Sequence, residues 1–82
     1  MSVISDGEII QEFKDPDQRE RAFNQLVEKY QERLYWHCRK IVIQHEDADD
    51  ALQNTFVKAW KSLQGFRSDS ALYTWLYRIA TN

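Results

Sequence analysis

A chain of 82 residues with a formal net charge of −2 has room for one domain with a modest core. Its single cysteine, Cys38, excludes an internal disulfide and fits a reducing cytoplasm. The sequence shows no signal-peptide pattern and no apolar run long enough to cross a bilayer, so we expect no membrane insertion. Two glycines, one proline and no alternating apolar run predict few, long elements. We therefore predict an all-α fold, a compact bundle of about four helices.

Charge is distributed unevenly along the chain. Through Asp50 there are 12 acidic and 7 basic residues, whereas beyond it four basic residues face a single acid, Asp69. This asymmetry allows one end of the molecule to face phosphate, although scattered solvated charge explains the counts equally well.

The first half of the chain predicts a short helix followed by a long one. Ser5 and Glu8 form a capping box that starts the first helix, which ends before Asp15. Asp15 is the predicted cap of the second helix, with Pro16 at its first position, and helical spacing of apolar residues continues to about Ile43. At 1.5 Å per residue this helix is roughly 40 Å long, so we expect it to carry the bundle.

The third helix is predicted from a cap at Asp47 to about Gln64, where Gly65 is able to take a left-handed conformation. Its apolar stripe has steps of three and four and consists of Ala48, Ala51, Leu52, Thr55, Phe56, Ala59, Trp60 and Leu63. The opposite face is polar except for one valine and consists of Asp50, Gln53, Asn54, Val57, Lys58 and Lys61. Such a strip suits docking against another helix, although an ordinary solvated face is the commoner explanation.

The turn after the third helix places Phe66 beside Arg67, and the helix that follows is short and aromatic. A ring and a guanidinium side by side suit a base drawn out of a duplex, although an aromatic folded back on the helix end is commoner. The fourth helix has three flanks, which are Leu72, Leu76 and Ile79 for the core, Tyr73 with Tyr77, and Trp75 with Arg78 and Asn82. Helical spacing alone favours core packing for Trp60 and leaves it as the alternative for Trp75.

The residues predict no reaction chemistry. His37, Cys38 and His45 match no zinc-ligand spacing, and the sequence has no glycine-rich phosphate loop and no nucleophile–base pair. We therefore predict no catalytic residues, no metal site and no cofactor. A small metalloenzyme is the alternative, and it would carry bound metal.

The second half of the chain resembles region 2 of bacterial RNA polymerase sigma factors, the extracytoplasmic-function (ECF) group in particular. The resemblance lies in DALQNTFVKAW at 50–60, FRS at 66–68 and YTWLYRIATN at 73–82, and extends with weaker detail back to about Ala22. It implies that 1–82 is a sigma region 2 domain, the N-terminal fragment of a longer cytoplasmic bacterial protein whose region 4 domain is absent from this chain.

The resemblance also implies two sets of contacts. Contacts with the coiled coil of the polymerase β′ subunit fall on Asp50, Gln53, Asn54, Val57 and Trp60. Related chains often have an acidic residue where this chain has Asn54, which lacks the charge to pair with an arginine of β′. Contacts with the non-template strand of the promoter −10 element fall on Lys58, Phe66, Arg67, Ser68, Asp69, Trp75, Arg78 and Asn82.

The function implied is therefore that of a transcription initiation domain that binds core RNA polymerase and recognises and melts the −10 element. Melting of this kind requires no enzymatic reaction, because a flipped base exchanges one stacking contact for another. An anti-sigma factor is implied as a further partner. The alternative is a helical protein–protein interaction module without nucleic-acid binding.

Overall fold

The computed structural model describes residues 4–41, 45–67 and 70–81, and the elements within these ranges are all helical. They are α1 (Asp6–Phe13), α2 (Arg19–Ile41), α3 (His45–Ser62), a 3₁₀ turn (Leu63–Gly65) and α4 (Leu72–Thr81). The prediction of an all-α bundle of about four helices is confirmed. None of the helices in the described ranges has both the length and the apolar character needed to span a membrane.

The first helix begins as the sequence predicts and is fastened to the second by one carboxylate. The Ser5 hydroxyl accepts from the Glu8 amide at 3.2 Å, and the Glu8 carboxylate accepts from the Ser5 amide at 3.5 Å. Asp6 accepts from the Lys29 ammonium at 2.7 Å and from the Tyr30 hydroxyl at 2.7 Å, so it joins α1 to α2. Burial, together with the hydrogen bond to Asp6, raises the pKa of Tyr30.

The start of α2 differs from the prediction. Asp15 accepts from the Asp17 amide at 3.0 Å and from the Gln18 side chain at 3.3 Å, so its carboxylate closes a turn instead of capping the helix. Pro16 lies in that turn and not at the first helical position, because α2 begins only at Arg19. The predicted end near Ile43 falls outside the described residues; the helix is described to Ile41 and is about 35 Å long.

The prediction that Asp47 caps the third helix is wrong, and the helix end does not use the left-handed conformation open to Gly65. The helix begins at His45, so Asp47 lies in its first turn, where it complements the helix dipole instead of capping it. Gly65 does not take a left-handed conformation and is the last residue of the 3₁₀ turn. The Phe66 amide donates to the Leu63 carbonyl at 3.0 Å, so the tighter turn satisfies the helix end without a left-handed residue.

The core lies along α2, which packs against each of the other three helices. This confirms that the long helix carries the bundle. Its buried residues recur every four positions and are Ala22, Leu26, Tyr30, Leu34 and Cys38. The predicted stripe of the third helix is buried at Ala48, Thr55, Ala59 and Leu63. The Thr55 hydroxyl is satisfied inside this stripe because it donates to the Ala51 carbonyl at 2.7 Å.

Candidate nucleic-acid and partner-binding surfaces

The face of α3 opposite the buried stripe is exposed along its whole length. Its exposed residues are Asp50, Gln53, Asn54, Val57, Lys58 and Lys61, which we call the α3 strip. Val57 is 52% exposed, an unusual fraction for a branched apolar side chain in the middle of a helix. The strip therefore offers carboxylate, carboxamide and ammonium groups around one apolar centre.

Trp60 combines the two roles that helical spacing left open. Its ring packs edge-on against Phe13 of α1 at 5.3 Å and against Phe23 of α2 at 5.2 Å between centroids. The residue is nevertheless 41% exposed, next to Val57 on the rim of the α3 strip. One edge of the indole thus belongs to the core, and the other is accessible to a partner.

A cleft lies between the turn after α3 and the helix α4. Its volume is about 220 Å³, and its lining residues are Gly65, Phe66, Arg67, Ser70, Trp75 and Arg78. The rings of Phe66 and Trp75 are tilted by 58° with centroids 5.3 Å apart, and both side chains are half-buried. Arg67 and Arg78 are exposed, and no carboxylate lies among the lining residues that the structure describes. An aromatic wall with two guanidinium groups at its edge is suited to a base and its phosphates.

The structure thus brings together four of the eight residues predicted to contact DNA: Phe66, Arg67, Trp75 and Arg78. Lys58 is exposed on the α3 strip and does not line the cleft. Ser68, Asp69 and Asn82 lie outside the described residues. The Phe66 ring packs against the bundle and also lines the cleft, so its contact with a base stays a prediction.

Sequence reasoning missed a second group of aromatic and basic side chains, the α2/α4 aromatic cluster, formed by Arg33, His37, Tyr73 and Tyr77. The Arg33 guanidinium carbon lies 4.8 Å from the centroid of the Tyr73 ring. The His37 ring is stacked on Tyr77 at 4.4 Å with an angle of 4°, and the two tyrosines meet edge to face at 5.6 Å. The only signal in the sequence was that Arg33 and His37 are four residues apart on one helix, as are Tyr73 and Tyr77 on another. This spacing does not show that the two helices bring these pairs together.

A hydrogen bond fixes the orientation of His37 in this cluster. The Thr81 hydroxyl donates to the Tyr77 carbonyl at 2.8 Å, so its oxygen accepts from Nε2 of His37 at 3.1 Å. This hydrogen bond therefore joins α2 to the C-terminal turn of α4. In the described parts of the chain, no three or more His, Cys, Asp or Glu side chains group in a way that would hold a metal ion.

These surfaces define a class of protein: a small helical bundle with an exposed polar face on one helix and an aromatic cleft edged by two arginines beside another. The sigma-70 region 2 family model matches residues 26–82. The chain therefore belongs to the sigma-70 region 2 family, and the resemblance in the sequence is confirmed.

The chain is similar to curated sigma factors, several of which are named ECF sigma factors. It is 48% identical over 62 residues to the RNA polymerase sigma-H factor of Pseudomonas aeruginosa, and this match covers 76% of this chain and 32% of that protein. It is 40% identical over 79 residues to the ECF RNA polymerase sigma-E factor of Escherichia coli, and this match covers 96% of this chain and 40% of that protein. The chain thus spans well under half of the length of these relatives.

A solved structure has the same fold. The NMR structure of an engineered region 2 of sigmaE in complex with GTAAAA superimposes with a TM-score of 0.84 at 35% identity. The match covers 100% of this chain and 84% of that chain.

Proposed function

We propose that residues 1–82 are one domain of a transcription initiation factor that docks on core RNA polymerase and binds the single-stranded −10 element of a promoter. The observation that carries the proposal is the cleft in which Phe66 and Trp75 form an aromatic wall beside Arg67 and Arg78. It is supported by the similarity to a region 2 whose solved complex contains GTAAAA.

The cleft acts by exchange of contacts and not by reaction chemistry. A base that leaves the duplex loses stacking worth a few kcal/mol and gains a comparable amount by stacking on an aromatic side chain. Arg67 and Arg78 are exposed at the edge of the cleft, where each guanidinium can pair with a phosphate on either side of the flipped base. Ser68, Asp69 and Asn82 complete the proposed DNA contacts, and Lys58 reaches phosphate from the α3 strip.

The α3 strip is the proposed docking face for the coiled coil of the polymerase β′ subunit. Gln53 and Asn54 are exposed carboxamides that can both donate to and accept from a partner helix. Val57 and the outer edge of Trp60 supply the apolar contact, and Asp50 supplies a charge for a basic side chain of β′. Asn54 has no such charge, so its contact is a hydrogen bond. An anti-sigma factor competing for the same surfaces, and a bacterial cytoplasmic location, complete the proposal.

Because a flipped base enters the cleft without its partner strand, the proposal is tested by comparing single-stranded with duplex DNA. A fluorescently labelled GTAAAA oligonucleotide and a longer duplex that stays paired and has GTAAAA at its centre are titrated with the chain at physiological salt, and anisotropy is measured. We expect the single strand to bind and the duplex to show negligible affinity. Micromolar or tighter binding of the duplex contradicts the proposal, as does failure of the single strand to bind.

A pair of matched variants identifies the surface used. Arg67→Ala removes one exposed guanidinium from the cleft, and loss of a charge-assisted contact of about 1.5 kcal/mol weakens binding about tenfold. Arg21→Ala removes an equally exposed arginine near the start of α2 and is expected to leave the affinity unchanged. Equal effects of the two substitutions would show that binding follows total charge and not the cleft.

A further inference from the structure

The α2/α4 aromatic cluster lies on the side of α4 turned away from the cleft. Tyr73 and Trp75 are two residues apart, so their side chains leave the helix in nearly opposite directions. Trp75 lines the cleft, while Tyr73 meets Arg33 of α2. The two sides of α4 thus present two separate aromatic surfaces.

The cluster is only partly buried, and it is cationic. Tyr73 is 38% exposed and Arg33 is exposed. Within residues 4–41, 45–67 and 70–81 no carboxylate forms a salt bridge with Arg33, whose contacts are the rings of Tyr30 at 5.6 Å and Tyr73 at 4.8 Å. From Arg33 to Ile41 the sequence has three basic residues and no acidic one.

These features fit a nucleotide better than a purely structural brace. A brace between helices gains most when its rings are fully buried, whereas Tyr73 stays 38% exposed beside Arg33, which has no salt bridge to a described carboxylate. The exposed ring offers a stacking surface to a base, and the guanidinium offers charge and hydrogen bonds to a phosphate.

A single strand in the cleft is close enough to reach this surface. Arg78 lines the cleft and is exposed, and helical periodicity places it on the crest of α4 between Trp75 and Tyr77. A helix with its side chains is about 10 Å across, a width that a single strand crosses within a few nucleotides.

We propose that the α2/α4 aromatic cluster is a second contact for the same DNA strand, with Tyr73 stacked on a base that flanks the GTAAAA segment. Arg33 pairs with the phosphate of that nucleotide. This inference rests on the proposed function, because the strand must occupy the cleft before it can cross α4.

The test uses three labelled single strands and the 82-residue chain. The first is GTAAAA, the second carries three further nucleotides at each end, and the third is as long as the second but has abasic added positions. The abasic strand keeps every phosphate, so its comparison with the second isolates the added bases. One stacked base contributes about 1 kcal/mol or more, so we expect the strand with bases to bind at least about fivefold more tightly than the abasic strand.

Two variants locate the contact. Tyr73→Leu keeps an apolar side chain, and it is expected to abolish the preference for added bases while binding GTAAAA as the wild type does. Arg33→Gln is expected to reduce the slope of log affinity against log salt by about 0.7 on the long strand, the value for one phosphate of a single strand. Arg21→Gln, exposed near the start of the same helix, is the control and leaves both quantities unchanged.

The outcomes separate this inference from the function on which it rests. Equal wild-type affinity for the strands with bases and with abasic positions overturns the second contact and leaves the cleft standing. Loss of GTAAAA binding by Tyr73→Leu, accompanied by a lower Tm, shows that the cluster is a brace and also overturns it. If the wild type does not bind GTAAAA, the proposed function fails and the second contact fails with it.

Discussion

Replacing Tyr30 with phenylalanine tests how α1 is held on the bundle. The hydroxyl of Tyr30 lies 2.7 Å from both carboxylate oxygens of Asp6, and the ring is almost completely buried. A hydrogen bond to a charged group contributes about 1.5–3 kcal/mol. Because Asp6 is 32% exposed and keeps its ion pair with Lys29, we expect the lower value, about 1.5 kcal/mol.

The assay is thermal unfolding followed by circular dichroism. For a domain of this size 1 kcal/mol corresponds to about 4–8 °C, so Tyr30→Phe is expected to lower Tm by about 6–12 °C. Tyr77→Phe is the control, because the Tyr77 hydroxyl has no hydrogen-bond partner among the described residues, and its Tm should stay close to that of the wild type. A fall of less than about 3 °C for Tyr30→Phe would refute this account of how α1 is held.

The pH dependence of the same variant gives an independent check. Burial and the bond to Asp6 raise the pKa of Tyr30 above its ordinary value near 10, so the folded protein retains this proton when the unfolded chain has lost it. The stability that Tyr30 contributes is therefore complete below about pH 10 and is lost as the pH rises above that value. The difference in unfolding free energy between wild type and Tyr30→Phe should shrink above about pH 10, by up to about 1.4 kcal/mol per pH unit. A difference that stays constant through this range contradicts the assignment.

Two further predictions concern docking and the core. Asp50→Ala combined with Gln53→Ala should abolish capture of the chain by the β′ coiled coil in a pull-down. The control, Glu28→Ala with Gln31→Ala, changes exposed residues of α2 and should not reduce capture. Equal capture of both double variants would refute the proposed docking face. Leu76→Ala empties a fully buried position of α4 and should lower the free energy of unfolding by about 2–5 kcal/mol in urea titrations, so a loss below about 1 kcal/mol would show that α4 is not packed as described.

The sequence predicted which face of the third helix is buried and which is exposed, because this depends only on the periodicity of that helix. The stripe and the strip of the third helix separate as expected, with Ala59 buried and Gln53 exposed, because a period of 3.6 residues assigns faces without knowledge of the partner helix. The resemblance implied DNA contacts for Trp75 and Arg78, which both line the cleft beside Phe66, and the contacts themselves stay predictions.

What the sequence did not predict depends on competition between local partners or on tertiary contact. Asp15 is a good helix cap by type, but amide donors two and three residues ahead satisfied it in a turn. Gly65 had the freedom to adopt a left-handed conformation, but the 3₁₀ turn did not require it. Arg33 and Tyr73 are far apart in sequence, and only the packing of α4 on α2 brings them together.

The indole of Trp60 has a consequence for how this protein changes over evolutionary time. Its inner edge rests on Phe13 and Phe23, while the residue is 41% exposed one helical turn from Val57, on the face proposed to bind polymerase. A substitution that adapts the outer edge to a new partner alters the packing of α1, and a substitution that repacks α1 moves the edge that the partner meets. Substitutions at residue 60 therefore act on the core and on the exposed face together. We expect this position to covary both with the core residues it packs against and with the residues of the partner.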